Sequence, residues 1–70
     1  MMPLGMASVG DVNTIKKITG RDDVRQHLAE LGFVVGEPVR VVNELAGNLI
    51  LSVKDSRIAL DRDMAMRIMV

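Results

Sequence analysis

The hydrophobic rhythm of the chain changes twice. From Val12 to Thr19 the apolar positions are Val12, Ile15 and Ile18, set around Lys16 and Lys17. A spacing of three is imperfect for a strand, so the segment predicts a first strand with a bulge or a twisted start, ended by Thr19-Gly20. From Arg21 to Leu31 the period lengthens. Val24, Leu28 and Leu31 fall at i, i+4 and i+7, one apolar stripe on a helix. Asp22 and Asp23 stand at its start, where a cap and negative charge are favoured. Gly32 follows at the position where a helix ends in a left-handed residue, and Phe33 is placed to fold back on the last turn.

Beyond Val34 the period is two. Val39 and Val41 alternate with Arg40 in a second strand, and Ala46-Gly47-Asn48 is a turn signal. Leu49, Leu51 and Val53 alternate with Ile50, Ser52 and Lys54 in a third strand. Lys54-Asp55-Ser56-Arg57 reads as a second tight turn, Ile58 and Leu60 as a short fourth strand. Asp61-Arg62-Asp63-Met64 reads as one capped helical turn, and Met66 to Val70 as a closing strand with Ile68 and Val70 inward. Short strands at regular spacing predict a mainly β, partly open barrel of five strands. One α-helix is inserted after the first strand and covers one end, and a short helical turn precedes the last strand. Closing the sheet limits exposed strand edges.

Seventy residues leave room for one domain, 1–70, without internal repeats or linkers. The absence of cysteine removes disulfides and thiolate metal sites, so the core must stand on its aliphatic residues. Nine basic and nine acidic residues cancel, with the signs interspersed and Phe33 as the only aromatic residue. Neither the clustered cations of a duplex-binding protein nor a stacking platform for single strands is present, which argues against nucleic acid. A membrane span needs about 20 apolar residues, and the longest runs here are Phe33-Val34-Val35 and Leu49-Ile50-Leu51. Met1 to Gly10 lacks the basic start and apolar run of a signal peptide, so a cytoplasmic location is expected.

These features together resemble the FeoA family. Leu28-Ala29-Glu30-Leu31-Gly32-Phe33-Val34-Val35-Gly36 is similar to its L-x-x-L-G-[FM]-x-x-G signature. Pro3-Leu4 with Gly10 and Ile15, Val39-Arg40-Val41, the Gly47 turn, Ile58-Ala59-Leu60 and the ending from Ala65 to Val70 fall at family spacing. The resemblance spans essentially the whole chain. It implies an SH3-like barrel and a role beside FeoB, the membrane ferrous iron permease with a cytoplasmic GTP-binding domain, whose transport or GTPase activity it would modulate. The motif residues Leu28, Leu31, Gly32, Phe33 and Gly36 have a structural reading of their own: they bury the helix stripe, end the helix and fill the space between helix and sheet.

Candidate chemistry is sparse. His27 is the sole histidine; Asp23 at i−4 and Glu30 at i+3 share its side of the helix. Such a set would hold iron or zinc weakly at most, since a transition-metal site normally draws three or four protein ligands, and a surface histidine is the simpler reading. The resemblance brings a transition-metal-binding label for which the residues supply no evident site. With no cysteine, no histidine near Ser52 or Ser56, and no phosphate-cradling glycine loop, the chain does not read as an enzyme. An arginine given in trans to a partner's GTP site would come from Arg25, Arg57 or Arg62, all of which also read as solvated charge. The expected contact surface joins the tip Phe33, Val34 and Val35 to Met66, Arg67 and Met69, because flexible thioethers suit adaptable protein contacts. Self-association stays open.

Two other classes compete with this assignment. The SH3-like C-terminal domain of DtxR-type metal-dependent repressors resembles FeoA, but that reading calls for an N-terminal DNA-binding helix-turn-helix that these residues lack. A generic polyproline-binding SH3 adaptor needs an aromatic-lined groove, which one Phe cannot build.

Overall fold

The first apolar segment divides into two strands at Ile15-Lys16. The computed structural model describes residues 1–70, with β1 at Val12–Thr14 and β2 at Lys17–Ile18. β1 pairs antiparallel with β3 (Pro38–Leu45), whereas β2 pairs antiparallel with β6 (Ile68–Met69). The expected single strand is thereby corrected, and six strands replace five. The joint is held by backbone on both sides. Ile15 N–H donates to Glu37 O (2.9 Å), and Lys16 N–H donates to Met69 O (2.8 Å). The Ile15 side chain is fully inside, so this residue serves the core while its backbone changes partners.

The period-two region builds the rest of the main sheet. β4 (Asn48–Val53) and β5 (Ser56–Asp61) complete the antiparallel order β1-β3-β4-β5. Val39 faces Val53 and Val41 faces Leu51 across β3 and β4, and Leu49 faces Leu60 across β4 and β5. All six side chains point into the core. A register shift between Val41 and Asn43 makes Val42 a bulge, which bends β3 and re-aims its outer half. The β3–β4 hairpin turns on Ala46 (φ 52°) and Gly47 (φ 82°), both left-handed, as a twisted two-residue connection requires. The next turn is shorter than expected: Lys54 and Asp55 alone form it, and Ser56 and Arg57 already belong to β5.

α1 runs over Asp22–Glu30, with Leu28 fully buried and Val24 and Leu31 half-buried against the core. Its N-cap is Arg21, without a side-chain cap bond. Asp22 and Asp23 sit inside the first turn, where they complement the dipole without capping. The short helix α2 (Arg62–Ala65) does have its expected cap, since Asp61 accepts from Met64 N–H at 2.8 Å. Met66 is the last residue of that turn, and the closing strand is confined to Ile68–Met69. A 3₁₀ turn at Leu4–Met6 was not legible in the pattern; it delivers Leu4, with no exposed surface, to the core. The thirteen buried hydrophobic residues form one cluster enclosed by the sheet, α1 and the two termini.

Candidate protein-interaction surface

The helix-end signature is a docking device. Gly32 takes φ 108°. Its N–H donates to Ala29 O, and the Phe33 N–H donates to Leu28 O, each at 3.0 Å. This pair of bonds satisfies the last carbonyls of α1 and turns the chain back under the helix. Phe33 is thereby driven fully into the core beside Leu28. Phe33 must be struck from the expected contact surface: a side chain with no exposed area touches no partner. Gly36, at φ 94°, donates its N–H to Ile15 O at 2.8 Å and fixes the far side of the loop. Between these anchors Val34 is half-buried and Val35 is 65% exposed.

The second part of the expected surface is larger than the sequence indicated. All six methionines of the chain lie in residues 1–6 and 64–69, and the fold brings those two segments together. Met2 and Val70 exchange two backbone hydrogen bonds of 2.8 Å, and Pro3 bridges to Met69. Met66 packs over Gly5, where a β carbon would approach its Sδ to 2.7 Å. The Arg62 guanidinium donates to both Gly5 O and the Glu44 carboxylate, clamping the 3₁₀ turn between α2 and β3. The result is an apolar end on which Met1 (76%), Met6 (66%), Met2 (37%) and Met66 (37%) reach solvent. Met69 is half-buried, and Arg67 is exposed at the rim, its backbone carbonyl accepting from Thr19 N–H at 2.7 Å and from the Thr19 hydroxyl at 3.1 Å. Sequence reasoning missed Met1, Met2 and Met6. Their only signal was composition, because Met1-Met2-Pro3-Leu4-Gly5-Met6 has no helix or strand period.

His27 is exposed on α1. Its two candidate co-ligands are otherwise engaged: Asp23 pairs with Arg21 at 3.5 Å, and Glu30 accepts from Gln26 at 3.4 Å. Nowhere do three or more His, Cys, Asp or Glu residues gather as a metal site, so the donors present do not fit a resident transition metal. Of the three arginines considered for a role in trans, Arg62 is held by Gly5 and Glu44, and Arg25 pairs with Asp22 at 3.4 Å. Arg57 has no carboxylate partner. No helix is long and apolar enough to cross a membrane.

Fold and surface thus define a small, partly open antiparallel barrel that presents an adaptable apolar end and an exposed loop tip. The model of the FeoA domain matches residues 2–70, and the chain belongs to that family. A candidate Fe(2+) transport protein A of Methanocaldococcus jannaschii is 37% identical over all 70 residues, which cover 85% of that protein. Among solved structures, an iron uptake regulatory protein, FeoA, is 31% identical at a TM-score of 0.87, covering 96% of this chain and 89% of that one. Stenotrophomonas maltophilia FeoA, an SH3 domain protein solved with zinc, is 29% identical at a TM-score of 0.74, covering 99% and 88%. The barrel is therefore SH3-like. A manganese-dependent transcriptional repressor shares the fold alone, at 22% identity and a TM-score of 0.83, with 94% of this chain laid on 38% of the repressor.

Proposed function

We propose that this protein is a cytoplasmic, non-enzymatic accessory of ferrous iron uptake, acting as one domain over 1–70. It binds a FeoB-type membrane permease and modulates its transport or GTP turnover. The observation that carries this reading is the FeoA match along nearly the full chain, together with an Fe(2+) transport name on a relative that matches all 70 residues here over 85% of its own length. The contact is made by the methionine end, Met66, Met69 and Arg67 with Met1, Met2 and Met6, and by the loop tip Val34-Val35. Unbranched thioethers repack to an irregular partner surface at little cost, and exposed apolar groups rimmed by charge mark interaction sites. Iron is handled by the partner, and His27 acts as a surface residue.

The test is the GTP hydrolysis and iron(II) flux of the cognate permease, measured with and without this protein. A change in either rate that saturates with added protein is expected. No change in either rate, together with no binding, would remove the reading.

A further inference from the structure

The register of the main sheet assembles a positive patch that the linear charge pattern conceals. Val12 lies opposite Arg40, Arg40 opposite Ser52, and Ser52 opposite Arg57, so four strands contribute one lateral row. Directly opposed residues share a face. This is the outer face, since the alternating neighbours Val39, Leu51 and Val53 are buried. Strands lie about 4.8 Å apart, which sets the Arg40 and Arg57 backbones about 10 Å apart across Ser52. Lys54 follows β4 in the left-handed turn to β5 and lines the same groove as Arg40 and Ser52. All three cations are exposed.

These cations have no carboxylate within ion-pair distance; the three ion pairs of the chain use Arg21, Arg25 and Arg62. Arg40 and Lys54 line a groove of about 220 Å³ together with Val12, Glu37, Pro38 and Ser52, and Arg57 lies outside it across Ser52. The exposed Val12 gives the groove an apolar edge.

We propose that this face docks an acidic, extended segment of a protein partner. Its carboxylates pair with Arg40, Arg57 and Lys54, and its backbone lies in the groove against Val12 and Pro38. Charge complementarity selects the occupant. Three cations release too few counterions for duplex binding. No aromatic side chain offers a stacking platform for single strands. A carboxylate-bearing chain meets separate cations one by one and gains sequence tolerance from the open groove. None of these residues belongs to the methionine end, so the inference does not depend on the permease contact.

The experiment is a titration of the ¹⁵N-labelled protein with an acetylated peptide of about twelve residues alternating Glu and Ser. The same peptide with Gln for Glu and a short DNA duplex serve as controls. Amide shifts are expected at Val12, Arg40, Ser52, Lys54 and Arg57. Affinity should fall about tenfold between about 50 and about 300 mM salt, as screening of exposed charge requires. R40E/R57E should abolish the shifts, and the milder R40Q/R57Q should weaken binding about tenfold while keeping the wild-type circular dichroism spectrum. No shift at millimolar peptide, equal binding of the Gln peptide, tighter binding of the duplex, or shifts confined to the methionine end would each overturn the proposal.

Discussion

Gly32 shows how one missing β carbon decides where a helix stops. Its φ of 108° is a conformation L side chains rarely adopt, yet a β carbon there would lie 3.6 Å from Val53 Cγ1, an ordinary contact. The penalty for substitution is therefore conformational, not steric. Gly32→Ala should cost about 1–2 kcal/mol, the range for forcing a β carbon into left-handed backbone, read from the urea midpoint at unchanged slope. Asn13 is a residue-scale weakness of the opposite kind. It sits in β1 opposite Val39, and its Nδ2 is buried without a hydrogen-bond partner. An unsatisfied buried donor costs about 1–3 kcal/mol. Asn13→Leu should raise the melting temperature, and a drop would show that the amide is serving a polar contact. At this scale the helix-end glycine was readable from its place after Leu31. The burial of Phe33 was half readable: its fold-back under the helix follows from that same glycine, but its position beside Val34 and Val35 also suggested a surface role. The two hydrogen bonds at the helix end decide against the surface.

The elements separate according to how local their causes are. α1, β4, β5 and the inner half of β3 were legible from period, and the two hairpin turns from Gly47 and Lys54-Asp55. The second turn reads two residues too long in the sequence, and the outer half of β3, past the Val42 bulge, has no period to read. The division of the first strand was not legible. Nothing in Val12 to Thr19 records that Thr14 pairs with Pro38 while Lys17 pairs with Met69; only the closing of the barrel forces it. The end of the chain misled in a related way. Met66 reads as the start of a strand by alternation, but Asp61 caps α2 and right-handed helical backbone continues through Met66. The β3–β4 hairpin offers a test of turn chemistry. Ala46 sits at φ 52° in a turn that favours Asn followed by Gly. Ala46→Asn should stabilise the protein by about 0.5–1 kcal/mol, because the short Asn side chain hydrogen-bonds locally and offsets part of the left-handed penalty that Ala bears in full, and thermal unfolding will measure it.

The whole molecule gathers what the sequence scatters. Arg40 and Arg57 are brought together by register, and six methionines by the meeting of the two termini; neither juxtaposition has a local signature. The core was legible as a supply of aliphatic residues, whereas the surfaces depend on which strand lies beside which. A single aliphatic cluster holds the barrel, while the clamp of Arg62 on Gly5 and Glu44 holds the methionine end in shape. The proposed function is a contact between two proteins, so binding tests it more directly than transport does. The decisive measurement is calorimetric titration of the cognate permease's cytoplasmic domain with the wild-type protein and with M6D/M66D, which places charges on exposed positions and leaves the buried core intact. Saturable binding by the wild type is predicted, with a loss of at least about tenfold in affinity for the variant, as removing central apolar contacts entails. Equal binding by both proteins, or no binding by the wild type, would contradict the account.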